Sequence, residues 1–304
     1  MPIFSRLGTK KSIDKTPSLP SPGVPVEGKY GPLPTLPRNT VGIPGEGKFG
    51  RIRGKSGDWT WHLETGILRG MFVVIPAYRG EKKLERCLAA LKAQTEPVEI
   101  YVHDNNVNNI GFTAAMNEGL KRALKGGHEF ALLLNQDVYL RPDGIEQLTK
   151  FLKSHPRCAI AGVKQTDEKD LDLVQHGGCG AAFPSGLHVR GRKSRGECAV
   201  SLPMPWINGA VMAVRMEAVV DFGLMDHNMF LIGSDSDWCY TARQRGWEVW
   251  YCAECEVIHE GGVTVGIPKP ELQPVMVRDM TYWRDKWVGT RLYERMRNWK
   301  VAGI

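Results

Sequence analysis

The sequence predicts an α/β fold in which a mostly parallel sheet is covered by helices, and three observations predict it. Between about Met71 and Gly266, apolar runs alternate with amphipathic stretches, the pattern of successive βαβ units. One run, Phe130–Asn135, is nearly unbroken, as a central strand buried on both faces must be. Polar residues follow several runs directly, where open α/β sheets place their ligands.

Taken in order, Phe72–Pro76 reads as the first buried strand. Glu81–Gln94 carries Leu84, Leu88 and Leu91 at helical spacing, Val98–His103 is the second strand, and Thr113–Leu124 the second helix. Phe130–Asn135 follows as the third strand, Pro142 opens a helix to about Ser154, and Ala159–Val163 is a fourth strand. Asp167–Pro205, rich in Gly and charge, reads as an irregular or hairpin segment over a site. Trp206–Val214 returns to strand character, Ser234–Gly246 to helix, and Trp247–His259 supplies one or two strands. Leu272–Trp299 places Met276, Met280, Trp283, Trp287 and Leu292 at near-helical spacing, so a C-terminal helical extension over residues 267–304 is expected.

Residues 1–70 are different in texture. They hold nine of the nineteen prolines and few regularly spaced apolar positions, so they read as an extended arm unable to bury enough surface to offset its ordering entropy. Within it Glu27-Gly-Lys-Tyr-Gly31 recurs as Glu46-Gly-Lys-Phe-Gly50, a pair that fits either two short docking elements or a chance likeness of Gly-rich strings.

The net charge of +7 is unevenly spread. Residues 1–70 carry eleven Lys and Arg against five Asp and Glu, residues 267–304 carry eight against four, and the middle is net negative by three. Basic tails suit an anionic partner or surface, or simple solvated charge. No apolar run approaches the roughly 18 to 20 residues of a bilayer span, and the first twenty residues lack the apolar stretch of a secretory signal. The expectation is a cytoplasmic protein without a transmembrane segment. Seven scattered cysteines, Cys87, Cys158, Cys179, Cys198, Cys239, Cys252 and Cys255, read as reduced thiols. Cys252 and Cys255 with His259 lack a fourth zinc ligand and sit in a strand-like stretch.

Candidate chemistry lies at the strand ends. The first strand runs into Pro76-Ala-Tyr78-Arg79, the second into Asp104-Asn105-Asn106, and the third into Asn135-Gln136-Asp137. Any one of these acidic residues serves as a helix N-cap; together, Asp104 can accept hydrogen bonds from a base or ribose and Asp137 can hold a divalent cation. Further on, Asp235 and Asp237 open a helix, where the dipole favours them, but the apolar Met229–Ile232 before them makes a poor surface loop. Carboxylates projecting from such a segment into a cleft suit a general base toward a hydroxyl.

Together these segments resemble glycosyltransferase family 2 enzymes of the GT-A fold, especially bacterial rhamnosyltransferase-like members, over about Met71–Gly266. Phe72–Tyr78 resembles the opening strand, His103–Asn106 the base-binding strand end, and Asn109-Ile-Gly111 through Asn117-Glu-Gly119 the following helix. Leu134–Val138 resembles the abbreviated DxD site, Trp206-Ile-Asn-Gly209-Ala210 the acceptor-side strand, Asp235-Ser-Asp237 with Arg243 and Gly246 the helix of the base, and His259-Glu-Gly-Gly the late histidine facing metal and diphosphate. Arg79 and Ser234 depart from the family pattern; the second leaves the base open between Asp235 and Asp237.

The resemblance implies a GT-A type, Rossmann-like mixed sheet and an inverting transfer of a sugar from a nucleotide-diphosphate donor. It implies Asp235 as base, with Asp237 the alternative, and a Mn²⁺ or Mg²⁺ ion on Asp137 and His259. Pro76, Tyr78, Arg79, Asp104, Asn105, Gly111, Asn117, Asn135 and Gln136 would hold the nucleotide sugar, and His176, Trp206 and Gly209 would lie toward the acceptor. The expected acceptor is a surface polysaccharide or lipid-linked glycan, with the basic C-terminal helix in peripheral contact with an anionic membrane. Basic arms also fit a transferase acting on modified bases in DNA, and a third reading is a sugar-binding scaffold on the same fold without activity.

Overall fold

The structure is a computed structural model that describes residues 49–53, 59–63, 70–184, 191–192, 198–261 and 270–300. Residues 1–48, and with them the first copy of the five-residue repeat and most of the expected arm, lie outside the described residues. The described part of that stretch departs from an arm. Strands β1 (Phe49–Arg53) and β2 (Trp59–Leu63) pair antiparallel, and β2 adds to the sheet edge. The alternation in Trp59-Thr-Trp-His-Leu63 is the local signal for this, masked by the surrounding Gly and Pro.

From Met71 the βαβ pattern holds. Elements β3 (Met71–Ala77), α1 (Glu81–Lys92), β4 (Glu99–Asp104), α2 (Gly111–Gly126), β5 (Phe130–Leu134), β6 (Val138–Leu140), α3 (Gly144–Ser154) and β7 (Cys158–Asp167) follow in order. The segment expected to be irregular contains the short strands β8 (Leu173–His176), β9 (Gly191–Arg192) and β10 (Leu202–Pro203). Then come β11 (Val211–Arg215), α4 (Met216–Phe222), α5 (Ser234–Gln244) and the long β12 (Glu248–His259). The C-terminal segment is two helices rather than one, α6 (Gln273–Trp287) and α7 (Arg291–Arg297). Gly289 between them has φ 87°, and the Thr290 hydroxyl accepts the Tyr293 amide to start α7 afresh.

The strand order is β1-β2-β4-β3-β5-β11-β7-β12-β10, with β6 beside β12 and β8 beside β7. Strands β4, β3 and β5 are mutually parallel, β11 runs antiparallel to β5 and to β7, and β12 is parallel to β7. Strands β3, β4, β5, β7 and β12 therefore share one direction, and their carboxyl ends line a single edge of a mixed sheet. The amino end of β11 comes out on that same edge.

Both faces are covered, so β3 alternates between two cores. Met71, Val73 and Ile75 face α1 and α3, while Phe72 and Val74 face α2 and the helices that follow β11. Helix α2 approaches β3 so closely that a Cβ on Gly119 would fall 2.2 Å from Val74 Cγ1, which only glycine permits. All seven cysteines are free thiols, and Cys252 and Cys255 are buried in β12 beside a register shift.

Candidate active site

The common edge collects residues that are far apart in sequence. The end of β3 is clasped to the end of β5: Gln136 accepts the Tyr78 amide at 3.1 Å and donates to the carbonyls of Tyr78 (2.9 Å) and Arg79. Arg79 sits at φ 48°, an unfavourable backbone for a non-glycine residue, held there by this clasp and by Asn106, whose Oδ1 accepts its amide at 2.8 Å. Tyr78 and Arg79 are exposed and stack on each other, next to Pro76 in the strand. Asp104, half-buried, accepts the backbone and side-chain N–H of Asn106, both at 2.9 Å.

Asp137 follows β5 and is buried. His259 ends β12, in register with Val138, and the Asp137 carbonyl accepts the Glu260 amide, so the two side chains are brought face to face. His259 Nε2 lies 3.7 Å from Asp137 Oδ1. That gap is too long for a hydrogen bond, and the two groups are near enough that both would ligate one cation held between them. Burial pushes the His259 imidazole below its ordinary pKa, against the pull of Asp137, so it is held neutral, the form that ligates. One carboxylate oxygen and one imidazole nitrogen fit a Mn²⁺ or Mg²⁺ ion that takes its remaining ligands from water and phosphate. No cluster of three or more metal-ligating side chains occurs among the described residues.

Glu260, beside His259, gathers cations. Lys83 reaches it at 2.5 Å and Arg86 at 2.8 Å, the latter also bound to Glu168, and the Tyr139 hydroxyl donates to it. Two positive side chains on α1 thus flank the Asp137–His259 pair.

Asp235 lies across the edge, on the first turn of α5. The Gly209 amide, just before β11, donates to its Oδ2 at 2.8 Å, and the Ser236 amide donates to Oδ1 at 2.7 Å. Burial raises its pKa above the usual carboxyl value, and these two amides hold it down. A Cβ on Gly209 would stand 3.4 Å from Asp235 Cβ and 3.0 Å from the Phe112 ring, so the absence of a side chain there keeps the carboxylate against the strand end.

Asp237 faces the other way. It is 1% exposed, its Oδ1 pairs with Lys286 at 2.7 Å, and Trp287 Nε1 donates to the same oxygen at 2.7 Å. Two residues along a helix is about 200°, so Asp235 and Asp237 point to different sides of α5, and Asp237, the alternative base, spends its carboxylate on α6.

Other expected site residues are structural too. Asn117, read as a nucleotide contact, is buried and spends its amide on the Met225 backbone, donating at 2.8 Å and accepting at 3.0 Å. Asn105 is buried and ties the β4 end to the start of α2 through Ile110 and Gly111. Gly111, at φ 85°, lies under Phe230, whose carbonyl accepts the amides of Phe112 and Thr113, so this helix start is occupied by the chain itself. Trp206, expected toward the acceptor, is 3% exposed, donates to the Ala181 carbonyl and packs on Phe183 in the core. His176, also expected toward the acceptor, is buried, opposite Gln165 in the β7–β8 pairing. Asn135 is half-buried, and its amide donates to the Ala210 carbonyl, joining β5 to the start of β11.

Sequence reasoning missed the supports of α5. Asp279 on α6 is fully buried, and its Oδ2 accepts three successive amides, Phe230 (2.9 Å), Leu231 (2.7 Å) and Ile232 (3.2 Å). Lys286 bridges Asp226 and Asp237, both at 2.8 Å or less, and despite burial it lowers the Asp226 carboxyl to about 2. The signal was present: Asp279, Trp283 and Lys286 fall on one helical stripe, where charges beside a tryptophan ought to have buried partners. It also missed Gln165 and Asn208, discussed below.

A family model described as glycosyltransferase-like family 2 matches residues 105–284 of the chain. Among solved structures, the chain is similar to GalNAc-T7 crystallised with UDP, GalNAc and Mn²⁺, at 15% identity and a TM-score of 0.49, covering 66% of this chain and 45% of that one. It is also similar to S. aureus TarS, at 12% identity and a TM-score of 0.44, covering 73% of this chain and 44% of that one. Against residues 1–349 of TarS the values are 11%, 0.44, 73% and 73%. The chain spans less than half the length of the first two. None of the curated proteins compared with it matches.

Proposed function

Because the chain belongs to glycosyltransferase-like family 2, we propose that it moves a sugar from a nucleotide-diphosphate donor to an acceptor hydroxyl, with inversion at the anomeric carbon. The observation that carries this reading is the meeting, on one sheet edge, of Asp137 with His259 on one side and the Gly209-anchored Asp235 on the other.

Asp235 is the base. Its two oxygens are fixed by backbone amides, so it needs no reorganisation to accept the acceptor proton, and its raised pKa makes it a stronger base than an exposed carboxylate. Asp104, with the backbone of Pro76, Tyr78 and Arg79, holds the nucleoside, and the Gln136 clasp keeps that rim in place. Asp137 and His259 would hold the divalent cation, which supplies fixed positive charge where the diphosphate departs. Lys83 and Arg86 add to that field from α1. The acceptor we propose is a polysaccharide or lipid-linked glycan, met on the cytoplasmic side with the basic C-terminal helices toward an anionic membrane; no described helix is long and apolar enough to cross one.

The test is a thermal-shift screen against UDP, GDP, dTDP, CDP and their common sugars, with Mn²⁺ and with EDTA, followed by turnover assays of Asp235→Asn. A metal-dependent rise with one nucleotide, and a variant that keeps that rise but loses turnover, are the expected results. Absence of a shift with every nucleotide overturns the donor site, and full turnover by Asp235→Asn overturns the base.

A further inference from the structure

Between the two halves of the site lie two amide side chains that the proposed chemistry leaves unused. Gln165 on β7 is 1% exposed. It is opposite Val257 in the parallel β7–β12 register, so it shares a sheet face with His259, two residues beyond. Its Oε1 is 3.0 Å from His259 Nδ1. Its Nε2 donates to Asn208 Oδ1 at 2.7 Å, and Asn208 Nδ2 donates back to Gln165 Oε1 at 3.4 Å.

In this arrangement the two amides satisfy one another and the Gln165 carbonyl oxygen faces His259. A carbonyl oxygen can only accept, so the proton between Gln165 and His259 belongs to Nδ1. The imidazole then carries no proton on Nε2, the nitrogen that faces Asp137 across 3.7 Å. Asn208 also precedes Gly209, whose amide holds Asp235. Asp235 and His259 are therefore linked through the Asn208–Gly209 peptide and the Gln165 side chain.

We propose that Gln165, oriented by Asn208, is a positioning residue that locks His259 in the Nδ1–H tautomer and so presents Nε2 to a divalent cation shared with Asp137. The proposal rests on the metal reading of Asp137 and His259 given above, and it concerns a residue two removes from the donor, which no strand-end motif marks. A partner that fixes the ring of a ligating histidine commonly changes metal affinity by about 10- to 100-fold.

The experiment uses full-length, metal-free protein labelled with ¹⁵N-histidine, the His259 signals being assigned by their loss in His259→Gln. In the wild type, Nδ1 is expected to be the protonated nitrogen. Gln165→Leu should lose that preference and bind Mn²⁺ alone, followed by electron paramagnetic resonance, about 10- to 100-fold more weakly. Gln165→Glu, which keeps an acceptor toward Nδ1, should retain both the tautomer and the affinity. If Gln165→Leu does not fold, Gln165→Asn, one methylene shorter, removes the same contact with less disturbance. An Nε2–H tautomer in the wild type, or a folded Gln165→Leu that binds Mn²⁺ as tightly as the wild type, overturns the proposal. A wild type that binds no Mn²⁺ overturns the metal reading itself, and the tautomer data alone then decide whether Gln165 sets the ring.

Discussion

Replacing Asp279 should loosen the loop that leads into Asp235, and the cost can be worked from its contacts. The carboxylate is fully buried; one oxygen accepts the amides of Phe230, Leu231 and Ile232, and the other accepts from Arg278 at 2.8 Å. Arg278 is 58% exposed at its side chain, so its pair is worth less than about 1 kcal/mol. The three amides are the larger quantity. Each loses a charge-assisted bond of about 1.5–3 kcal/mol, and water entering the vacated volume restores part of it. Because the three share one acceptor, they do not add in full, and about 4 kcal/mol is expected for Asp279→Ala. Asp279→Asn keeps one oxygen for the amides and should lose about 1–2 kcal/mol. Arg278→Ala is the control and should stay within about 0.5 kcal/mol of the wild type. Urea denaturation followed by tryptophan fluorescence gives the stabilities, and hydrogen exchange reads the amides at 230–232. If Asp279→Ala unfolds within 1 kcal/mol of the wild type, as judged against the estimate above, or if exchange at those three amides is unchanged, the account of α6 as their anchor is wrong.

Three further outcomes follow from the same geometry. Asp237→Asn should lose about 2 kcal/mol, because Lys286 forfeits a buried partner while keeping Asp226, yet turnover per folded molecule should survive; a folded variant without turnover would return Asp237 to candidacy as base. Turnover should fall on the acid side as Asp235 takes up a proton, with an apparent pKa above that of an ordinary aspartate because burial raises it; an acid limb at or below the ordinary value would count against Asp235. His128 hydrogen-bonds Glu99, and this, together with the Gly70 carbonyl and against burial, raises its folded pKa above 6.5. Its contribution to stability is therefore full below the unfolded value and is lost as the pH rises through the folded one. The melting-temperature advantage of wild type over His128→Asn should shrink from about pH 5.5 to about pH 8.5, and a constant difference would show that the pair does not contribute.

Much of this site was legible in the sequence because it obeys a local rule. Residues that directly follow a buried strand reach the sheet edge whatever their partners are, which is why Asp104, Gln136 and Asp137 were marked by position alone, while His259 was marked by the family resemblance. The resemblance placed Asn117 on the donor side and Trp206 toward the acceptor, and the structure buries both. Asn117 and Trp206 have the chemistry of ligand contacts, but a donor or an aromatic ring also satisfies the core, and burial decides between the two. The run Leu272–Trp299 showed helical period throughout, while the break at Gly289 depended on one left-handed residue and a threonine cap.

By itself the sequence determined the alternation of strands and helices, the edge on which polar residues would gather, and the family resemblance, because apolar period and strand-end chemistry are written in consecutive residues. Only the tertiary structure gave the two carboxylates different partners, since Asp235 and Asp237 differ merely in helical phase until Gly209 claims one and Lys286 the other. It also decided that Asp137 meets His259, and that Gln165 stands behind that histidine. Those meetings depend on the β6–β12 and β7–β12 registers, and register is set by the whole sheet, not by any one segment of it.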